Sequence, residues 1–113
     1  MKIAGWVLAG LTGFAMLGAG ATKLMADPTH VAHFVDDWGF GLGFMYFTGV
    51  VELIGAVLLI VPRTRLIGSG VIVATMLGAT ATHLMFAEYG GLIAPLVLGG
   101  MAAGAGWIAS RPA

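Results

Sequence analysis

The sequence contains no cysteine, and charged residues make up only 9% of it. Without cysteine the chain has no disulfide, thiol redox centre, iron–sulfur ligand or Cys-based zinc site, so a redox role would require a bound cofactor or a partner. Basic and acidic residues number five each, and this balance gives no support for nucleic acid binding. Because soluble domains carry about 25% charged residues, this scarcity of charge indicates an integral membrane protein.

Four long apolar runs take up most of the 113 residues. Each run has about 20 residues, enough to cross the roughly 30 Å hydrocarbon core of a bilayer as a helix. We therefore predict an all-α fold, a four-transmembrane-helix bundle that forms one domain over residues 1–113. The predicted spans are residues 3–24, 41–61, 66–86 and 91–109.

The stretch between the first two spans has the signals of a short amphipathic helix. Asp27 suits its N-cap, Pro28 its first turn and Gly39 its exit. Apolar residues recur there at helical spacing, and we predict a helix on the membrane surface, with its tryptophan at headgroup level. The residues of this apolar face are Val31, Phe34, Val35 and Trp38.

The basic residues predict the orientation of the chain. Four of them lie on the side that carries both ends of the chain, against Lys23 alone on the other side. Because cytoplasmic loops are enriched in Lys and Arg, we expect both termini to be cytoplasmic. The four residues are Lys2, Arg63, Arg65 and Arg111.

Small residues at four-residue spacing mark the last two spans. Gly70, Ala74, Gly78 and Thr82 form a stripe in the third span, and Gly100 and Gly104 form a GxxxG pair in the fourth. Such stripes let helices approach closely. We expect contacts within the bundle, with a docking face for another subunit as the alternative.

Three ionisable residues lie within the predicted spans, and Glu52 is the deepest of them. A carboxylate at mid-membrane costs about 2.5–3.5 kcal/mol on insertion scales. Helical side chains lean towards their own N-terminus, so Lys23, Glu52 and His83 all lean into the outer half of the bundle. We predict a Lys23–Glu52 ion pair with His83 beside it, whose charge can change near neutral pH. These three residues are the predicted ligand-binding or proton site.

The helix faces around the trio favour a cavity. Met45 and Thr48 share the face of Glu52, and Met76 and Thr80 share that of His83. Thioethers and hydroxyls on these faces suit a small polar head group with an apolar tail, and these four residues are the predicted lining of the site. No catalytic residue is assigned.

Other interpretations of the trio stay open. Lys23 can instead pair with Asp27 near the headgroups, and His83 can be an ordinary interfacial histidine. A Lys23–Glu52 pair can also be a purely structural clasp that sets helix register.

His30, His33 and Asp37 have the spacing of a facial metal arrangement on the linker helix. Structural zinc sites use four ligands and usually Cys. We interpret these residues as the polar face of the amphipathic helix and expect no metal site.

Several segments together resemble the DoxX-like family of small four-helix membrane proteins, over about residues 13–86. The resemblance implies a four-helix bundle in a bacterial cytoplasmic membrane, with relatives in a thiosulfate:quinone oxidoreductase and in other membrane oxidoreductase assemblies. The thiosulfate reaction does not carry over, since the chain lacks cysteine and has little extramembrane sequence. The segments are Ala21-Thr22-Lys23-Leu24, the linker with Phe34 and Trp38, Val51-Glu52-Leu53-Ile54-Gly55-Ala56, Pro62-Arg63-Thr64-Arg65, and Thr82-His83-Leu84.

The first functional hypothesis is a small membrane subunit of a redox or respiratory oxidoreductase assembly, with quinone as the candidate ligand of the Lys23–Glu52–His83 site. In this hypothesis the partners are the lipid bilayer and other membrane subunits. Two alternatives remain: a channel or carrier for protons or a small solute, which requires a homo-oligomer, and a non-catalytic scaffold that docks through the fourth span. The sequence does not decide whether the protein is an enzyme.

Overall fold

The computed structural model describes residues 2–111; the ends of the predicted domain, Met1, Pro112 and Ala113, lie outside the described residues. Between residues 2 and 111 all regular structure is helical, which confirms the all-α prediction. The four long helices, two of them together with the short turn that precedes each, are long and apolar enough to cross a membrane. The helices are α1 (Lys2–Leu24), α2 (Pro28–Val31), α3 (Leu42–Ile60), α4 (Arg65–Met85) and α5 (Ile93–Ala109), with a π-helical turn at Ala32–Asp37 and 3₁₀ turns at Pro62–Thr64 and Tyr89–Leu92.

The long helices form a ring in which α1 packs on α3 and α5, and α4 also packs on α3 and α5. Because successive spans reverse direction, every neighbouring pair in this ring is antiparallel. We call the end with residues 25–41 the linker end, and the end with Lys2 and Arg111 the terminal end. The interior of the terminal half is filled by fully buried residues, Ala9, Leu59 and Ala105.

Glycines bring the backbones of α1 and α3 together in the linker half. A Cβ atom on Gly20 would lie only 2.8 Å from the Gly49 carbonyl oxygen, and one on Gly49 would lie 3.1 Å from the Lys23 Cβ. The first distance is shorter than real Cβ contacts and the second is tighter than most of them, so the absence of side chains at both positions lets the two helices cross this closely.

Most glycines of the predicted small-residue stripes do not lie against another helix. Cβ atoms on Gly70, Gly78 and Gly100 would have no neighbour within 4 Å, whereas Gly104 does approach Leu8. The expected intramolecular contact is therefore wrong for the first three glycines, which are exposed on the outer surface of the bundle.

The α1 and α4 helices end in the same way at the linker end. In each, an alanine adopts a left-handed conformation, with φ of 54° at Ala26 and 55° at Ala87. The N–H of the next residue then donates back to the last turn, from Asp27 to the Thr22 carbonyl and from Glu88 to the His83 carbonyl. Such an ending satisfies carbonyls that a helix C-terminus leaves free, and it places one acid directly beyond each helix.

The turn between α3 and α4 caps the C-terminus of α3 with side chains. The Thr64 hydroxyl donates to the Leu58 carbonyl at 2.8 Å, and the Arg65 guanidinium donates to the Leu59 and Ile60 carbonyls at 2.9 Å each. These bonds give the buried Arg65 charge polar partners and satisfy three helix-end carbonyls. The Thr-Arg pair of the sequence therefore has a structural role at the terminal end.

The linker begins as predicted and then departs from a regular α-helix. Asp27 caps α2 by accepting from the Thr29 N–H at 2.9 Å. From Ala32 the turns widen to a π-helix, which holds more residues per turn and so breaks the spacing expected for the apolar face. As a result Phe34 is buried while Val35 is exposed.

Candidate functional site

Lys23 and Glu52 form the expected ion pair, with 2.8 Å between Lys23 Nζ and Glu52 Oε1. The side chains are only 10% and 4% exposed, respectively. Lys23 lies in the last turn of α1 and Glu52 midway along α3, and the close backbone crossing at Gly20 and Gly49 brings the two within reach. The alternative pairing of Lys23 with Asp27 is not formed, because the Asp27 carboxylate caps α2 instead.

The Glu52 carboxylate keeps unused hydrogen-bonding capacity. An ionised carboxylate offers about four acceptor positions, and among residues 2–111 Lys23 is its only polar side-chain contact. The ammonium likewise has three N–H donors, and Glu52 is the one acid within ion-pair distance of it among residues 2–111. The pair can therefore bind a further polar group without first giving up its own contact.

Both charged groups line a cavity of about 400 Å³ in the linker half of the bundle. Its wall is mostly apolar and draws on α1, α3, α4, α5 and the linker. This volume lies within the range of about 300–1,000 Å³ for small-molecule sites, which typically combine apolar walls with a few polar groups. The main apolar side chains of the wall are Met16, Phe34, Trp38, Phe40, Met76 and Leu98.

Two of the four predicted lining residues, Thr48 and Met76, do line this cavity. Met45 does not, because it is completely buried in the packed interior. Thr80 lies about 100° around α4 from the middle of the lining face at 3.6 residues per turn. It lines a separate, smaller cavity of about 190 Å³ and donates to the Met76 carbonyl.

His83 lines the same cavity but does not contact the Lys23–Glu52 pair. Its Nδ1 lies 2.9 Å from Glu88 Oε1, and the indole N–H of Trp38 donates to that same oxygen at 3.0 Å. The structure thus divides the expected trio into a buried ion pair and a histidine at the rim. Sequence reasoning missed Glu88, although its position five residues after His83, just beyond the helix end, was a usable signal.

The other two histidines also line the cavity, which brings all three histidines of the chain to one site. His30 and His33 were interpreted as part of the polar face of the linker helix. The side chain of His33 is 40% exposed and pairs with the exposed Asp37, whereas His30 is turned towards α1. His30 Nε2 lies 3.0 Å from Thr22 Oγ1 in α1, so the short helix folds back over the bundle. Burial, followed by the nearby Lys23 ammonium, lowers the pKa of His30, and Asp27 partly opposes this shift.

Four membrane-crossing helices around an internal cavity with a buried ion pair define a multi-pass membrane protein with a candidate small-molecule site. The model of the DoxX-like family matches residues 7–105, and the chain belongs to this family. The match includes the fourth span, which the resemblance seen in the sequence did not cover. Comparison with curated proteins and with solved structures gave no match.

Proposed function

We propose that the protein is a small membrane subunit of a redox or respiratory assembly and that it binds a quinone head group in the cavity beside Lys23 and Glu52. The observation that carries this proposal is a buried ion pair that lines a mostly apolar cavity. A quinone matches both features, because its ring and tail are apolar while its two carbonyl oxygens accept hydrogen bonds.

Each residue of the pair has a separate part in this proposal. The Lys23 ammonium donates to a quinone carbonyl with an N–H that Glu52 does not use. In its protonated form the Glu52 carboxyl group passes a proton to an oxygen of the reduced quinone, and as a carboxylate it accepts a hydrogen bond from a hydroxyl of the quinol. Reduction of one quinone takes up two electrons and two protons; a partner subunit supplies the electrons, and His83 relays protons between the rim and the cavity.

A channel through a single chain is less well supported. The cavity occupies the linker half only, and the terminal half is closed by the buried side chains of Ala9, Leu59 and Ala105. A continuous path would have to run between copies of the chain. The exposed, unpartnered Gly70, Gly78 and Gly100 favour lateral contact with another membrane subunit, which agrees with an accessory role.

The cellular membrane and the orientation of the chain are also part of this proposal. We place the protein in a bacterial cytoplasmic membrane with both termini inside, because the terminal end carries most of the basic residues. The cavity then faces the outer half of the bilayer.

Quinone binding can be measured through Trp38, which lines the cavity. The other two tryptophans stack on arginines at the terminal end, Trp6 on Arg65 and Trp107 on Arg111. Replacing both by Phe leaves Trp38 as the only indole. We expect short-chain ubiquinone or menaquinone analogues to quench its fluorescence saturably in detergent micelles, because the ligand would sit against the indole.

The decisive variant is Glu52→Gln, with Asp36→Asn as the matched control, because Asp36 is an exposed acid that does not line the cavity. Glu52→Gln should weaken quinone binding at least about tenfold, and Asp36→Asn should leave it unchanged. A folded Glu52→Gln protein with unaltered affinity would contradict the proposal. If Glu52→Gln instead prevents accumulation, the ion pair is a structural clasp. Co-purification with cytochromes or dehydrogenase subunits from mild-detergent extracts tests the accessory role.

A further inference from the structure

A second group of polar side chains lies at the rim of the cavity, outside the ion pair. One ligand atom each from His33, Asp37 and Glu88 lies within 4.8 Å of the other two. His33 and Asp37 come from the π-helical turn of the linker, and Glu88 comes from the connection between α4 and α5. The cluster therefore joins two connections that are about 50 residues apart in the chain, as the Trp38–Glu88 hydrogen bond also does.

The charges of this cluster are not balanced by basic side chains. Among residues 2–111, neither Asp37 nor Glu88 forms an ion pair with a lysine or an arginine. The ionisable side chains that contact these two carboxylates are histidines: His33 Nδ1 lies 3.1 Å from Asp37 Oδ2, and His83 Nδ1 lies 2.9 Å from Glu88 Oε1. Two carboxylates with ligand atoms within 4.8 Å of each other and no lysine or arginine partner favour a cation between them.

We propose that the cluster binds one divalent first-row transition metal ion, of the Zn²⁺ or Fe²⁺ type. His33 Nδ1 and the carboxylates of Asp37 and Glu88 would be its ligands, and water would complete the coordination shell. Imidazole and carboxylate together select such ions, whereas Cu(I) prefers sulfur ligands, and Mg²⁺ and Ca²⁺ prefer oxygen alone. The +2 charge of the ion neutralises the two carboxylates.

The distances fit this proposal with small side-chain movements. Ligand bonds of about 2.1 Å in a tetrahedral zinc site place the ligand atoms about 3.4 Å apart. The distance of 3.1 Å between His33 Nδ1 and Asp37 Oδ2 is already near that value, and a ligand atom of Glu88 lies within 4.8 Å of both residues' ligand atoms, so only the Glu88 carboxylate has to move closer. The Trp38 N–H, which donates to Glu88 Oε1, holds this carboxylate in place, as an outer-shell partner does in metal sites.

The site differs from the metal arrangement that residue spacing along the linker helix suggested and that we rejected. That arrangement used His30 with His33 and Asp37, but His30 is directed to Thr22. Glu88 takes its place in the cluster, and residue spacing along the linker alone does not reveal it.

The experiment is a calorimetric titration of Zn²⁺ into the full-length protein in detergent, purified without a histidine tag and treated with a chelator. One Zn²⁺ per chain is expected. Asp37→Asn, Glu88→Gln and His33→Ala should each lower the affinity at least about tenfold. The last of these has His30→Ala as its matched control, because His30 belongs to the same linker but not to the cluster.

Asp36→Asn is the matched control for Asp37→Asn, since the two acids are adjacent and both exposed. It should change the affinity by less than about twofold. Absence of stoichiometric binding would overturn the proposal. Equal losses in Asp36→Asn and Asp37→Asn would also overturn it, because they would show diffuse attraction to surface charge. Zn²⁺ binding should be unaffected by Glu52→Gln, so this proposal and the quinone proposal fail independently.

Discussion

Replacing Lys23 by Met should destabilise the folded protein strongly, because Lys23 is the only charged partner of the Glu52 carboxylate among residues 2–111. At the observed 2.8 Å between Nζ and Oε1, Coulomb attraction is about 6 kcal/mol at an effective dielectric constant of about 20. Breaking a buried pair by removing one partner typically costs about 3–5 kcal/mol. We expect Lys23→Met to fall in that range at pH 7.5.

The two halves of the pair should not respond equally. Lys23 lies in the last turn of α1 and has a long flexible side chain, so a lone ammonium can reach water or headgroups. Glu52 lies midway along α3, is 4% exposed and has a short side chain. Glu52→Gln should therefore destabilise less than Lys23→Met. The double variant Lys23→Met/Glu52→Gln should recover most of the stability, since it removes both charges together.

The assay is reversible unfolding in mixed detergent micelles, followed by circular dichroism, for the wild type, the two single variants and the double variant. Lys2→Met serves as the control, because Lys2 is exposed and should change stability by less than about 0.5 kcal/mol. The coupling energy of the cycle isolates the pairwise interaction. If the effects of the single variants simply add up in the double variant, the ion pair makes no contribution, and the reasoning is refuted.

Two further predictions concern the helix crossing and the linker. Gly20→Ala should destabilise the protein by about 1–3 kcal/mol, because the new Cβ would lie 2.8 Å from the Gly49 carbonyl oxygen. In the same unfolding assay Gly18→Ala should be neutral or slightly stabilising, because a Cβ there would have no neighbour within 4 Å. Burial and then Lys23 lower the pKa of His30 below its ordinary value of about 6.5, so the unfolded state binds the proton more readily. Its contribution to stability is present above about pH 6.5 and is lost as the pH falls towards the lowered pKa. His30→Gln should therefore reduce the drop in melting temperature between pH 7.5 and pH 5.5, and an unchanged drop would contradict this.

The sequence was sufficient to predict the four long helices and the Lys23–Glu52 ion pair. Four apolar runs of bilayer length leave little choice of fold, and a deep carboxylate requires a partner, of which Lys23 was the natural one. The lean of helical side chains towards their N-termini was enough to bring Lys23 and Glu52 to the same half of the bundle.

The linker was harder to predict, because its conformation depends on tertiary contacts. The periodicity of Val31, Phe34 and Val35 fits an α-helix, but Phe34 packs inside while the backbone widens into a π turn. That turn places His33 at the edge of the cavity, where its side chain is still 40% exposed. The contact of Glu88 with Trp38 likewise depends on how two separate connections meet, which no local pattern encodes, although the contact of Glu88 with His83 is local.

The Lys23–Glu52 contact joins two spans that are consecutive in the chain, and this has a consequence for biogenesis. A lone charge in an inserting helix is penalised by about 2.5–3.5 kcal/mol. Because α1 and α3 can associate as a helical hairpin before α4 has been synthesised, their opposite charges can neutralise each other at an early stage of membrane insertion. The cavity itself is completed only when α5 joins the ring. The insertion penalty of the two charges is therefore relieved before the nascent chain can bind any ligand.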